Sequence, residues 1–135
     1  MKYIGIDTGK HTGFAVWDSV THQLVELSTL LIHQAMERVH WYSQVYGDIL
    51  VIYEDARQRK WYGDNARAKQ QGAGSVKRDC TIWEDFLTDL QINHKGVAPQ
   101  RGATKLNAEY FRKITGWKGR TSEHARDAAM LVFGR

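Results

Sequence analysis

Cysteine is nearly absent from this chain, which has a single one, Cys80, among its 135 residues. One cysteine excludes an intrachain disulfide and a zinc site built from several cysteines. We interpret Cys80 as a small buried residue on a helix. Long apolar runs are also absent, since none approaches the ~18 residues that a membrane span needs. Residues 1–6 enter a strand directly and lack the apolar stretch of a signal peptide. We therefore expect a cytoplasmic protein with no membrane partner.

The excess of positive over negative charge is also small. The chain has 19 Lys and Arg against 15 Asp and Glu, a net charge of +4, with a pI of about 9.3. This basic balance favours polyanionic partners. The hydrophobic and charged fractions, 42% and 25%, are ordinary for a soluble globular protein. The length predicts a single domain over residues 1–135, with a sizeable core.

The hydrophobic pattern predicts an α/β fold. Period-two and continuous apolar runs predict strands, and apolar spacing of three to four predicts helices. The predicted strands cover residues 3–7, 13–17, 24–31, 49–54 and 92–98; the predicted helices cover 34–46, 76–90, 104–114 and 122–133; and 56–74 is predicted as a polar loop. A right-handed crossover from the first strand to the fourth, with a meander on the other side, gives a five-stranded mixed sheet in the order 3-2-1-4-5.

Carboxylates stand at the ends of two apolar strands. Asp7 ends the first predicted strand and Glu54 ends the fourth, so both lie at the carboxyl edge where open α/β sheets place their sites. His124 and Asp127 are three apart and share one helical face. Buried carboxylates need a positive partner, and a divalent metal ion is the natural one. Asp55 competes with Glu54, because consecutive strand residues point to opposite faces; we favour Glu54.

Four short motifs appear in a fixed order along the chain. They are Ile4-Gly5-Ile6-Asp7-Thr8-Gly9 with Gly13, Val51-Ile52-Tyr53-Glu54, Val97-Ala98-Pro99 with Lys105, and His124-Ala125-Arg126-Asp127-Ala128. In this order the chain resembles the ribonuclease-H-like superfamily, and within it the RuvC-type Holliday junction resolvases, over residues 3–133. The chain is shorter than typical bacterial members and resembles the compact versions that phages and mobile elements encode, which would act in the cytoplasm of a bacterial host.

The resemblance implies a two-metal nuclease site. Two Mg²⁺ or Mn²⁺ ions would be held by Asp7, Glu54, His124 and Asp127, and some RuvC-type enzymes have an aspartate in place of His124. Two such ions can activate a water and stabilise the leaving oxygen. We assign the bridging position to Asp7 and one ion each to Glu54 and Asp127. His124 is either a ligand or the base for the water. An imidazole among the ligands predicts that Mn²⁺ is accepted beside Mg²⁺.

The segment from residue 57 to residue 78 is strongly basic and contains two adjacent aromatics. We predict that the DNA-binding residues are Arg57, Arg59, Lys60, Trp61, Tyr62, Arg67, Lys69, Lys77 and Lys105. Basic groups bind phosphates, and aromatic rings stack on unpaired bases. In the resolvases, a residue of the loop after the second acid wedges into the junction crossover, and Trp61 or Tyr62 resembles its equivalent.

The expected function is therefore nicking of four-way DNA junctions by an endonuclease. Two symmetric nicks imply a homodimer. The candidate surfaces are the first helix, with His40, Trp41, Tyr42 and Tyr46, and the helix with Trp83 and Phe86, although core packing is the better interpretation of both. Two alternatives stay open: a nuclease of the same fold that acts on other branched DNA or on RNA–DNA hybrid, and a junction-binding protein that does not cut.

Overall fold

The fold is described from a computed structural model, which covers residues 1–58, 66–99 and 106–135, with residues 66–73 described by their backbone alone. The strands are β1 (Lys2–Asp7), β2 (His11–Asp18), β3 (Gln23–Leu31), β4 (Ile49–Glu54) and β5 (His94–Val97). The helices are α1 (Ile32–Tyr46), α2 (Ala66–Asp89), α3 (Ala108–Thr115) and α4 (Glu123–Val132), and a single 3₁₀ turn, Ala56–Gln58, follows β4.

The five strands form one mixed sheet in the order β3-β2-β1-β4-β5. The first three strands pair antiparallel, and β1–β4 and β4–β5 pair parallel. This is the strand order of the ribonuclease-H-like fold, so the predicted fold class is confirmed. The central strand β4 is almost wholly apolar, as a parallel strand covered on both faces must be.

Each face of the sheet carries its own hydrophobic core. On one face α1 and α2 pack over β1, β2 and β4; the main buried residues there are Ile4, Ile6, Phe14, Val39, Val51, Tyr53, Trp83 and Leu87. On the other face α3 and α4 cover the sheet; the buried residues there are Ala15, Trp17, Ile52, Phe111, Ala128, Ala129 and Val132. Alternation along each strand therefore decides whether a side chain faces α2 or α4.

Helix α4 lies unusually close to the sheet because two glycines face it. A Cβ atom at Gly5 would overlap the carbonyl oxygen of Ala128, and one at Gly13 would overlap the carbonyl oxygen of His124. Gly13 is the register partner of Asp7 on the neighbouring strand. The backbone of α4 thus packs directly on β1, which ends at Asp7, and on its neighbour β2.

Most predicted boundaries agree with the structure to within about two residues, but two are clearly wrong. The predicted polar loop over 56–74 is contradicted from Ala66 onward, where α2 begins. That stretch lacks an apolar period but is rich in alanine, lysine, arginine and glutamine, which are strong helix formers. The helix predicted from residue 104 begins at Ala108 instead, because the Asn107 side chain caps it by accepting the Tyr110 N–H at 2.8 Å. In the described part of the chain, no helix is long and apolar enough to cross a membrane.

Candidate active site

Asp7 and Glu54 lie side by side at the carboxyl edge of the sheet. The parallel register of β1 and β4 runs to the pair Ile6 and Tyr53, so Asp7 and Glu54 are the next residues on two neighbouring strands. Ile52 packs in the α4-side core, and strand alternation puts Glu54 on that same face. Asp7 is on this face too, two residues beyond Gly5. Both acids therefore face α4.

His124 reaches this edge from the first turn of α4. Its Nδ1 lies 2.9 Å from Oδ2 of Asp7, across 117 residues of sequence. The Ser122 side chain caps the helix by accepting the Ala125 N–H at 3.1 Å, which agrees with the predicted helix start. The His124 side chain is 52% exposed and that of Asp7 is 20% exposed. The pair is therefore accessible to solvent.

Asp127 lies three residues further along α4 and is partly buried. It shares a helical face with His124, so the backbone brings all four predicted site residues to one corner of the sheet. The side chains as they stand do not form a metal centre. Within residues 1–58, 74–99 and 106–135, no three His, Cys, Asp or Glu side chains are grouped so that they could hold a metal ion. Among the four, Asp7 and His124 are in direct contact.

Asp55, the alternative to Glu54, has a different environment. It is buried, and its carboxylate is bound by Arg57 on the α2 side of the sheet, with Nε to Oδ1 at 2.8 Å and Nη2 to Oδ2 at 2.9 Å. The hydrogen bonds from the Arg57 side chain, above all, lower the pKa of Asp55 below its usual value. The structure thus places Glu54, and not Asp55, on the face of Asp7 and His124.

Arg57 also contacts a second acid. Its Nη2 lies 2.7 Å from Oε2 of Glu84 on α2. Hydrogen bonds to Asp55, and then to Glu84, raise the pKa of the Arg57 guanidinium. This three-residue ionic group was not predicted from the sequence. The contact between Arg57 and Asp55 had a local signal, since an arginine two residues after a buried aspartate at a strand end can turn back and bind that aspartate. Nothing in the sequence pointed to the contact with Glu84.

Cys80 is fully buried on α2, as the sequence predicted. Its sulfur lies 3.5 Å from Oγ1 of Thr8 and donates to the carbonyl oxygen of Glu54 at 3.6 Å. Thr8 follows Asp7 directly. The Cys80 side chain therefore contacts a side chain at the end of β1 and a backbone carbonyl at the end of β4, the two strand ends that carry the acids. This contact ties α2 to the edge of the sheet where the site lies.

The predicted DNA-binding residues fall into three groups. Arg59, Lys60, Trp61, Tyr62 and Lys105 lie outside the described residues. Arg67 and Lys69 belong to the described backbone of α2. Lys77 lies on α2 with a partly buried side chain, and Arg57 contacts the two acids described above. The basic segment is thus continuous with the helix that holds Cys80 and Glu84.

The two candidate dimer surfaces differ. Trp83 is fully buried and Phe86 packs against the same core, which confirms core packing for that helix. On α1, Tyr42 is buried, while Trp41 and Tyr46 are 44% and 48% exposed. The exposed aromatics of α1 are partly covered by cations, with Arg38 over Trp41 at 4.5 Å.

Comparison with known proteins identifies the fold. No protein-family model matches the chain, and no curated protein matches it. Among solved structures, a Fowlpox virus resolvase in complex with its substrate Holliday junction DNA matches with a TM-score of 0.51. The match covers 96% of this chain and 94% of that one, at 12% sequence identity. This chain has the fold of that resolvase. The expected resemblance is thereby confirmed at the level of the fold.

Proposed function

We propose that this protein is a metal-dependent endonuclease that nicks four-way DNA junctions. The observation that carries the proposal is the contact between Asp7 and His124, beside Glu54, on one face of the carboxyl edge of a resolvase fold. The neighbour of known structure was solved with Holliday junction DNA, which supports branched DNA as the substrate class. The net charge of +4 fits a polyanionic partner.

The chemistry of the four side chains suits a hard divalent cation. Three carboxylates and one imidazole are acceptable ligands for Mg²⁺ and Mn²⁺, and Asp7, Glu54, His124 and Asp127 are the residues that would hold two ions. When bound, such a pair supplies an activated water and stabilises the leaving oxygen.

His124 has two roles open to it within this proposal. Its contact with Asp7 orients the imidazole toward the acid that we assign as the bridging ligand. From there it either binds one ion itself or takes the proton of the attacking water. In both cases, loss of the Asp7 carboxylate removes the centre of the site. Asp7→Asn is therefore the best inactive variant, because the amide keeps the shape of the side chain and removes its charge.

The basic segment from Arg59 through α2 would hold the phosphates, with Trp61 or Tyr62 stacked on bases at the crossover. Paired nicking of a symmetric junction calls for two equivalent sites, which a C2 homodimer supplies. Of the two candidate dimer surfaces, the one on α1 exposes aromatic side chains, those of Trp41 and Tyr46, that a partner could contact. Light scattering should report a dimer at micromolar concentration, and a monomer there would count against paired nicking.

Cleavage of an immobile four-way junction tests the proposal. Wild type and Asp7→Asn would be compared in Mg²⁺ and in Mn²⁺, with matched linear duplex, fork and RNA–DNA hybrid as control substrates. We expect symmetric nicks in the junction from wild type, and from Asp7→Asn we expect binding without nicks.

Two other results would change the proposal. Faster cleavage of fork or hybrid would keep the site and replace the substrate. Tight junction binding by wild type, without cleavage in either metal, would replace the nuclease with a junction-binding protein.

A further inference from the structure

We infer that Arg57 is a positioning residue for Glu54 and does not contact phosphate. Arg57, Asp55 and Glu84 form an ionic group, here termed the Arg57 bridge, which ties the end of β4 to α2 and β5. The inference rests on the proposed function, in which Glu54 is a metal ligand. It assigns a role within the site to three residues on the opposite face of the sheet.

Arg57 binds the Asp55 carboxylate through both its side chain and its backbone. The guanidinium binds both carboxylate oxygens of Asp55, and the Arg57 backbone N–H donates to Oδ1 at 3.0 Å. Because the Asp55 side chain is only 7% exposed, its charge depends on this partner. An arginine that turned outward to a phosphate would leave a buried carboxylate without its cationic partner, so the energetic cost opposes DNA contact.

Glu84 joins this pair to α2. Its Oε2 accepts from Arg57 at 2.7 Å and from the Tyr53 hydroxyl at 3.3 Å. One guanidinium therefore links the turn after β4 to a helix, and the Tyr53 ring within β4 shares the same acceptor. Two acids on one arginine also neutralise its charge, which weakens its attraction for phosphate.

The backbone directly after Glu54 is held by β5 as well as by the Arg57 bridge. Asp55 follows Glu54 directly, and its N–H donates to the Val97 carbonyl of β5 at 2.7 Å. A Cβ atom at Gly96 would lie 3.2 Å from both Cβ and Oδ2 of Asp55, so β5 packs closely against this side chain. The Gln58 amide spans the same gap, with Nε2 3.3 Å from Oδ2 of Asp55 and from the Gly96 carbonyl. A displaced Asp55 would therefore move Glu54 with it.

The test separates positioning from phosphate contact by salt dependence. Junction affinity would be measured against salt concentration in the inactive Asp7→Asn background, for Arg57→Ala, Glu84→Ala and Lys77→Ala. If Arg57 bound a phosphate, its loss would lower the slope of log affinity against log salt by about 1, and Glu84→Ala, which removes a competing acid, would tighten binding. We expect neither effect. Lys77→Ala, a predicted phosphate contact, should lower the slope.

Mn²⁺ affinity, read by electron paramagnetic resonance without DNA, tests the positioning itself. In the otherwise wild-type chain, we expect Arg57→Ala and Glu84→Gln to weaken Mn²⁺ binding by about tenfold or more. Arg57→Lys keeps the charge but loses the paired contacts with Asp55, and serves if Arg57→Ala does not fold. Arg38→Ala is the control, because it breaks a similar ion pair with Glu26, at 2.6 Å on β3 and α1; it should leave Mn²⁺ binding unchanged.

Three results would overturn the inference: a reduced salt slope in Arg57→Ala, tighter junction binding in Glu84→Ala, or unchanged Mn²⁺ affinity in both bridge variants. Lower thermal stability with normal Mn²⁺ affinity would likewise reduce the bridge to a structural ion pair. Failure of the proposed function is a separate result. If the wild-type chain binds Mn²⁺ but does not bind or cleave junctions, Mn²⁺ affinity and thermal unfolding of the variants still test the role of the Arg57 bridge.

Discussion

Nδ1 of His124 and Oδ2 of Asp7 lie 2.9 Å apart although 117 residues separate them in the sequence. Two features of the chain produce this contact. Asp7 ends the central strand β1. Helix α4 packs against β1 at Gly5 and against β2 at Gly13, so that its first turn reaches the end of β1. The site therefore depends on the depth at which α4 lies on the sheet as much as on the acidic residues themselves.

Gly13→Ala should displace α4 and damage the site. The new methyl group would overlap the His124 carbonyl and lie 3.0 Å from Cβ of Asp7. Overpacking of this kind costs about 1–3 kcal/mol, and the helix that carries His124 must move to relieve it. We expect a lower free energy of unfolding in urea and a loss of junction cleavage larger than the loss of stability explains.

Gly74→Ala is the matched control for Gly13→Ala. A Cβ atom at Gly74 meets nothing within 4 Å, and the residue lies inside α2. Alanine is favoured over glycine in a helix by about 0.5–1 kcal/mol, so this variant should be slightly more stable and fully active. Equal activity and stability in Gly13→Ala and Gly74→Ala would contradict the close-packing argument.

The strand ends were predictable from sequence because their signals are local. An apolar run that stops at Asp7, and another that stops at Glu54, place both acids at one sheet edge once the strands are paired. The contact of Glu84 with Arg57 spans 27 residues and depends on how α2 packs, which no local pattern records. The start of α2 was missed for a related reason, since the polar stretch after Ala66 has helix propensity but no apolar period.

His124→Asp and His124→Ala should separate the two roles of this residue. A carboxylate is a good ligand for Mg²⁺ but would replace the imidazole base with a weaker one. We expect His124→Asp to keep Mn²⁺ affinity within about tenfold of wild type and to cleave junctions measurably, while His124→Ala loses both. Measurements of Mn²⁺ binding and single-turnover cleavage check this.

A different pattern would assign His124 as the base. If both variants bind Mn²⁺ as wild type does and both lose cleavage equally, the imidazole acts on the proton of the water and not on the ion. Junction affinity in the presence of Ca²⁺ serves as the control for folding, because the proposed phosphate contacts lie on other elements.

Low pH should remove one stabilising contact at the edge of the sheet opposite the candidate site. Asp18 accepts from Lys2 Nζ at 2.7 Å and from the Val20 N–H at 2.9 Å. The hydrogen bond to Lys2, above all, lowers the pKa of Asp18 from 3.8 to about 2. A carboxyl whose pKa is lower in the folded state stabilises the fold above its unfolded pKa, and this contribution disappears as the pH falls through the folded pKa.

Asp18→Asn should therefore be less stable than wild type at pH 7, and the difference should shrink between about pH 4 and pH 2. Urea unfolding at a series of pH values measures it. Lys2→Met should reproduce most of the loss at pH 7, and adding it to Asp18→Asn should cost little more, because the two residues act as a pair. A difference that stays constant down to pH 2 would contradict the assignment.

Trp61 and Tyr62 should matter for branched DNA and not for linear duplex. Aromatic rings stack on unpaired bases, which a junction crossover exposes and a duplex does not, and each stacked base contributes about 1–3 kcal/mol. In the inactive Asp7→Asn background, we expect the double variant Trp61→Ala with Tyr62→Ala to lose about tenfold or more in junction affinity and to bind duplex as before. The salt slope should not change, since neither side chain neutralises a phosphate. Equal losses on junction and duplex would indicate general damage to the basic segment, and unchanged affinity and cleavage would remove both aromatics from the recognition of the crossover.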